Sequence, residues 1–355
     1  MSGAVDFQLT DDQRALRAGM RELLERRFPR TRLRAVVDGD AERGAELDRA
    51  LWRELGAAGL FALRVPESAG GVGLGLPEAV LAFEEAGRAL LPGPLVATEL
   101  AAGLSGLWAA VGAVPGSSQA GLSGLAAGAV QGETVVTALD VEGARAPVEH
   151  LVSADAVLAL GPVAVELIPA AEVACAAEPM RSVDPATPLH RTGPIRTRRD
   201  QAGPGRSGIA ARLRREAALL TAAQQLGSAS RTVELAVDHA KRRTQFGRPI
   251  GAFQAVQHLC AQMLVRAESS RSVVYAAAVT EDPGDIAAAK LLADEAAVHN
   301  ARDCLQVHGG MGFTWEADVH LHLKRAWVRA GQWQCAAAAE EELAAGLVST
   351  VERCL

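Results

Sequence analysis

The C-terminal half of the chain contains two short stretches that decide how the rest of the sequence is interpreted. The first is Arg243-Thr244-Gln245-Phe246-Gly247, with Gln254 shortly after it, and the second is Gln306-Val307-His308-Gly309-Gly310-Met311-Gly312-Phe313. Two adjacent glycines can end a helix with positive φ, and their missing side chains let backbone amides approach a pyrophosphate. Arg243 supplies a planar cationic donor and Phe246 a flat apolar surface for a ring. Together the stretches predict a binding site for a dinucleotide.

Each of these residues also has a simpler interpretation. Phe246 could belong to the core, Gly309-Gly310 could be only a helix C-cap, and Arg243 could be part of a solvated Lys241-Arg242-Arg243 face. Taken singly, each simple interpretation is favoured. Taken together at this spacing, the residues favour the binding site.

Composition indicates a mainly helical protein. The 355 residues are 49% hydrophobic but only 4% aromatic, and Ala, Leu and Val make up most of the apolar content, which favours closely packed helices. A net charge of -6 argues against a nucleic-acid partner or an anionic membrane surface. The five cysteines have no paired spacing, so we expect neither a disulfide framework nor a metal site. With no signal peptide or membrane span recognised, we expect a cytoplasmic location.

Three regions follow along the chain. Residues 1–113 read as an N-terminal helical domain in which Thr10 caps the first helix and a loop covers Val65 to Gly73. Residues 114–205 read as a small β domain, with strand signals at 134–137, 156–160 and 163–168. Residues 206–355 read as a C-terminal four-helix bundle, interrupted near 247–251, 282–284 and 309–310.

This order of domains, together with the two opening stretches, resembles the acyl-CoA dehydrogenase family over nearly the whole length. In the N-terminal part, the resemblance rests on Val65-Pro66-Glu67 and Gly70-Gly71-Val72-Gly73-Leu74, followed by Glu84-Glu85-Ala86-Gly87-Arg88. The resemblance implies FAD as cofactor, an acyl-CoA substrate and an electron-transfer flavoprotein as acceptor. It also implies that Arg243, Phe246, Gln254 and Gln306 through Gly310 (Gln306, Val307, His308, Gly309, Gly310) contact an FAD bound mainly by a neighbouring subunit.

Two features of the family are missing from this chain. The Thr-Glu-Pro type of segment that holds the flavin ring is absent from Gly121 to Ala138, so the chain's own ring site is in doubt. The catalytic Glu is absent from its usual position, which falls near Trp333. The other position used in the family falls at Ala217, with Glu216 beside it, and a one-residue offset rotates a helical side chain by about 100°. Glu216 is therefore a candidate base only if the alignment slips, and a surface pair with Arg212 or Arg215 is the favoured interpretation.

The split between retained and missing motifs leads to one hypothesis and two alternatives. We expect a subunit of a heteromeric acyl-CoA dehydrogenase, similar to the α2β2 enzymes of actinobacterial steroid side-chain degradation, whose homologous partner carries the catalytic Glu. The first alternative is a self-sufficient homotetramer that uses Glu216 or another acid as base. The second is a scaffold subunit that binds no flavin and catalyses nothing.

Overall fold

The computed structural model describes residues 8–39, 46–111, 119–141, 147–162, 165–193 and 208–354. The chain divides into two compact units. The first contains residues 1–26, 80–91 and 218–355, and the second contains residues 27–79 and 92–217. The domain boundaries near 113 and 205 stay a prediction.

Twelve α-helices and eight short strands are found in the described ranges, which confirms the mainly helical fold class. The helices are α1 (Asp11–Arg27), α2 (Arg30–Val37), α3 (Arg49–Ala57), α4 (Leu76–Arg88), α5 (Leu95–Val111), α6 (Gln119–Val130), α7 (Ala170–Ala174), α8 (Ile209–Arg242), α9 (Gln254–Thr280), α10 (Pro283–His308), α11 (Val319–Ala330) and α12 (Ala336–Cys354). The strands are β1 (Val136–Asp140), β2 (Val148–Glu149), β3 (Ala156–Leu160), β4 (Val165–Pro169), β5 (Glu178–Met180), β6 (Leu189–Arg191), β7 (Thr244–Gln245) and β8 (Arg248–Pro249). In the same ranges no helix combines the length and the apolar character that a membrane span requires.

The N-terminal caps follow the sequence closely. Thr10 accepts a hydrogen bond from the Gln13 amide at 3.1 Å while the Gln13 side chain accepts from the Thr10 amide at 3.0 Å, which is a capping box and confirms the predicted start of α1. Asp282 caps α10 by accepting from the amides of Gly284 and Asp285, with Pro283 in the first turn. Local side-chain chemistry thus fixes both helix starts.

The second unit contains two small sheets. In one, β1 pairs in parallel with β3, which pairs antiparallel with β4; in the other, β6 lies antiparallel between β2 and β5. The three predicted strands exist, and the first begins at Val136. Residues 119–130 precede the first strand and form α6.

The C-terminal part of the first unit consists of long helices. All three predicted interruptions are confirmed, at the ends of α8, α9 and α10. The last predicted helix is two helices, because residues 331–335 separate α11 from α12 and Trp333 adopts a positive φ of 64°. Small side chains, including Ala236, Ala240 and Ala301, line the core between these helices.

Two glycines in the first unit allow α4 and α8 to approach each other closely. A Cβ atom on Gly227 would lie 1.8 Å from the carbonyl oxygen of Glu84, and one on Gly87 would lie 2.0 Å from that of Gln224. We therefore expect Gly227→Ala to lower the free energy of unfolding by about 1–3 kcal/mol, because the helices must separate. In Gly103→Ala, on α5, the new Cβ meets open space, and we expect a gain of about 0.5–1 kcal/mol from helix propensity. Urea denaturation of both variants checks this, and equal effects would contradict it.

Candidate functional site

The first stretch forms a tight hairpin directly after α8. Strands β7 and β8 are joined by Phe246 and Gly247, whose φ angles are 51° and 76°, as a type I′ turn requires. Such a φ is uncommon for a non-glycine residue and is often found at functional sites. The turn leaves Phe246 91% exposed, so the aromatic ring is not a core residue. The simple interpretation of Phe246 is thereby removed.

The polar residues of this stretch are also open to solvent. Arg243 is exposed, and its guanidinium group makes no hydrogen bond or ion pair with any residue of the described ranges. Its neighbour Arg242, in contrast, donates from Nε to the carbonyl oxygen of Asp238 at 3.1 Å. Gln254, the first residue of α9, is exposed as well. Arg243 and Gln254 are therefore free to bind a ligand.

The second stretch begins at the last turn of α10. Gly309 has φ 61° and ψ −145°, a conformation that essentially only glycine adopts. A Cβ atom added to Gly309 or to Gly310 would meet nothing within 4 Å, so the backbone borders open space. Gln306 is exposed, whereas Val307 is 7% exposed and packs in the core, which leaves its backbone as the part that could contact a ligand.

A pair of stacked imidazoles brings the two stretches together. The rings of His239, on α8, and His308, on α10, have centroids 4.1 Å apart with an interplanar angle of 25°. The carbonyl oxygen of His239 accepts a hydrogen bond from the Arg243 amide at 2.8 Å, and Gly309 directly follows His308. The stack therefore joins the last turn of α8, which the hairpin follows, to the last turn of α10, which the glycine pair follows.

The geometry fits a dinucleotide. It combines Arg243, a cation with no partner in the described part of the chain, with the exposed ring of Phe246 and a backbone that borders open space at Gly309 and Gly310. The carbonyl end of α10 carries a partial negative charge, which disfavours a phosphate there. Arg243 and the neighbouring cationic side chains of Arg242 and Arg248 offset that charge. Arg248 is held in place over the Phe253 ring, with 4.3 Å from Cζ to the ring centroid.

The candidate base Glu216 lies in a different setting, within the second unit. Its side chain is 4% exposed and accepts hydrogen bonds from Arg64 Nη2 at 2.8 Å and from Arg212 Nε at 2.5 Å. Arg64 also pairs with Glu99, at 2.6 Å from Nε to Oε1. These four side chains are called the Arg64 cluster below. The expected partner Arg212 is thus confirmed, but Glu216 is buried rather than on the surface.

The cluster changes the pKa values of both carboxyl groups. Burial alone would raise the pKa of Glu216, but Arg64 and Arg212 outweigh it and hold that pKa below its ordinary value. Burial raises the pKa of Glu99, and the attraction between its carboxylate and Arg64 offsets only part of that rise. A general base needs an accessible carboxylate with a raised pKa. Glu216 has neither property in this arrangement.

The two positions expected to hold a base contain none. Ala217 is fully buried in α8, and Trp333 lies in the bend between α11 and α12, where residues 331–335 include no acid. Over the described ranges, no group of three or more His, Cys, Asp or Glu side chains is arranged to hold a metal ion.

Sequence reasoning missed several residues of these sites, among them His239, Arg64 and Glu99. His239 precedes Arg243 by four residues and so lies on the same helical face, a signal that could have identified it. Arg64 gave no such signal, because it is 152 positions from Glu216 and only the folded chain brings them together.

Comparisons with known proteins give similarities over nearly the whole chain. The protein-family model described as "Acyl-CoA dehydrogenase, C-terminal domain" matches residues 205–331. A second family model, "Acyl-CoA dehydrogenase, N-terminal domain", matches residues 10–110. The acyl-CoA dehydrogenase IpdE2 of Mycobacterium tuberculosis is 34% identical over 317 residues, which cover 89% of this chain and 91% of that protein.

Two solved structures are similar over nearly the full length. A variant of the Tcur3481-Tcur3483 steroid ACAD superposes with a TM-score of 0.79 at 26% identity, covering 96% of this chain and 99% of that one. The ChsE4-ChsE5 complex from Mycobacterium tuberculosis superposes with a TM-score of 0.80 at 24% identity, covering 97% and 99%.

Proposed function

This chain belongs to the acyl-CoA dehydrogenase family, and we propose that it is one subunit of a heteromeric, FAD-dependent member that introduces an α,β double bond into an acyl-CoA thioester. In this proposal the chain contributes the dinucleotide clamp, which consists of Arg243, Phe246, Gln254 and Gln306 through Gly310. A homologous partner subunit supplies the flavin-ring site and the catalytic Glu. The proposed assembly is an α2β2 tetramer.

The cofactor is FAD, as the family assignment requires, and the clamp fits its dinucleotide end. When bound, FAD would supply the oxidising chemistry, as the acceptor for a hydride from the β-carbon of the thioester. Arg243 would bind phosphate oxygens through its planar donor fork, and the Gly309-Gly310 backbone would lie close to them because no side chain intervenes. Phe246 would cover an aromatic ring of the dinucleotide with its exposed face. None of these groups removes a proton.

This proposal rests on the contrast between the open clamp and the buried, ion-paired carboxylate of Glu216. Arg243 and Phe246 are both exposed; Arg243 forms no side-chain hydrogen bond or ion pair with the described part of the chain, and the Phe246 ring meets Phe253 edge-on with 6.0 Å between centroids. Glu216, the acid nearest to an expected base position, is instead ion-paired with two arginines. A subunit that holds the cofactor and leaves proton removal to another chain accounts for both observations.

The similar Tcur3481-Tcur3483 steroid ACAD consists, by its name, of two components and acts on steroids. This supports a homologous partner and a steroid-derived acyl group for this chain. An electron-transfer flavoprotein as acceptor and a cytoplasmic location complete the proposal as predictions. The homotetramer that uses Glu216 as base is less favoured, because that carboxylate is buried and paired. The flavin-free scaffold is less favoured, because it gives no reason for an exposed Phe246 in a strained turn.

Flavin stoichiometry tests the proposal directly. We expect the chain purified alone to contain little FAD and no dehydrogenase activity. Co-expressed with a homologous acyl-CoA dehydrogenase chain encoded beside it, we expect one FAD per unlike pair, measured by flavin absorbance against protein mass. A yellow, active oligomer of this chain alone would establish the homotetramer instead. A mixed complex without flavin would establish the scaffold.

A further inference from the structure

The stacked histidine pair links the two halves of the clamp, which lie on different helices. Arg243 follows α8, and the glycine pair follows α10, so any rotation or sliding of one helix end against the other would separate the cation from the open backbone. The core around this point combines small side chains, such as Ala236 and Ala240, with larger ones, such as Met263 and Leu305. The stack is a direct ring-to-ring contact between the last turns of α8 and α10.

His308 is fixed from two sides. Its Nδ1 lies 2.8 Å from the carbonyl oxygen of Cys304, one turn earlier in α10. A carbonyl oxygen can only accept, so Nδ1 carries the proton and donates it, which sets the tautomer and tilt of the ring. The second side is the face of His239, 4.1 Å away. One contact is internal to α10, and only the other reaches across to α8.

His239 is suited to this role because its surroundings favour the neutral form of its ring. Burial, together with the neighbouring charges of His308, Arg243 and Arg242, lowers the pKa of His239 below its ordinary value. A neutral ring can stack on His308 without charge repulsion, and offset stacking of two rings is favourable. His239 makes no side-chain hydrogen bond with the described part of the chain, so its ring face is what contacts His308.

We propose that His239 is a positioning residue for FAD binding, whose imidazole face holds His308 and the following Gly309-Gly310 backbone in register with Arg243. This inference rests on the proposed function of the clamp. The residue itself need not touch the cofactor. It acts by keeping the two helix ends in the relative position that the dinucleotide requires.

Three variants of the co-expressed complex test the proposal, with FAD affinity measured from the fluorescence of released FAD on dilution. We expect His239→Ala to weaken FAD binding about tenfold, because the two helix ends lose their stacking contact. We expect His239→Phe to stay within about threefold of the wild type, because a phenyl ring restores the face without the nitrogen atoms. The control Asp238→Ala, at the exposed neighbouring position, is expected to have no effect.

The thermal unfolding midpoint of the FAD-free complex separates positioning from general stability. His239 is only half-buried, so we expect all three variants to unfold within a few degrees of the wild type. Loss of affinity in both His239→Ala and His239→Phe would overturn the stacking role and indicate a role for the nitrogen atoms. Unchanged affinity in His239→Ala would also overturn it. Arg243→Ala, measured in the same assay, distinguishes two failures. If it weakens FAD binding while His239→Ala does not, only the inference about His239 fails; if neither variant weakens binding, the clamp assignment fails as well.

Discussion

Replacing Arg64 by Met is expected to lower the free energy of unfolding by about 3–5 kcal/mol at neutral pH, which is the usual cost of leaving a buried charge without its partner. Arg64 forms hydrogen bonds with Glu99 and with Glu216, and both carboxyl groups are almost fully buried. Met fills a similar volume without supplying a charge. Urea denaturation at pH 7.5 measures the effect.

The loss should become smaller at lower pH. Without Arg64, burial raises the pKa of Glu99 and Glu216 above the value of about 4.3 in the unfolded chain. The folded variant then binds more protons than the unfolded chain, so its stability increases as the pH falls. In the wild type the two pKa shifts have opposite directions and partly cancel. We therefore expect the difference between variant and wild type to be smaller at pH 5.5 than at pH 7.5.

A matched control separates the loss of a buried charge from the loss of any arginine. Arg49 pairs with Asp155 in the same unit, but both side chains are 37% exposed, and Arg49→Met should cost about 1 kcal/mol or less with little dependence on pH. Changing Glu99 and Glu216 to Gln in the Arg64→Met background should recover part of the stability, since no charge is left to bury. A loss that is equal at both pH values and unrelieved by these changes would contradict the prediction.

Only part of the Arg64 cluster could be predicted from the sequence. Helical spacing identified Arg212 as a partner of Glu216, because residues four apart lie on one face. Nothing in the sequence indicates that Arg64 or Glu99 lies beside Glu216, because Arg64 lies between α3 and α4 and Glu99 lies in α5. Burial of the cluster therefore had to be seen in the folded chain. That burial, not the one-residue offset, is the stronger reason against Glu216 as base.

The fold was predictable where local chemistry decides it. The capping box at Thr10, the proline after Asp282 and the glycine pair at Gly309 all lie where the sequence predicted helix ends. Residues 119–130 are a different case, because Ala favours a helix and Gly disfavours it, and packing against α5 decides their conformation. Strand β3 was predicted correctly because five consecutive buried apolar residues between turns leave few alternatives.

Replacing Arg243 by Ala is expected to weaken FAD binding to the mixed complex about 10- to 100-fold. A hydrogen-bonded ion pair with a charged group contributes about 1.5–3 kcal/mol, and each 1.4 kcal/mol changes affinity tenfold. Fluorescence of FAD released on dilution measures the change. Because attraction between exposed charges is screened, the difference from the wild type should shrink as salt is raised.

Arg242→Ala is the matched control, since it removes the same charge one residue earlier. Its guanidinium group is bonded to the carbonyl oxygen of Asp238, so we expect less than about a threefold change. Equal losses from both variants would indicate a general cationic field instead of a defined contact. No loss from either would remove the clamp assignment.

The stability of the FAD-free complex makes the test of Arg243 specific. Arg243 has no bonding partner in the described part of the chain, so its removal should leave the unfolding midpoint unchanged. Arg64 is the opposite case, because it is buried between two carboxylates and its removal should reduce folding stability. A side chain that contributes nothing to its own fold but strongly to FAD binding is what a cross-subunit contact requires. If Arg243→Ala instead destabilised the chain, its exposure in the structure would need another explanation and the cofactor role would lose its main support.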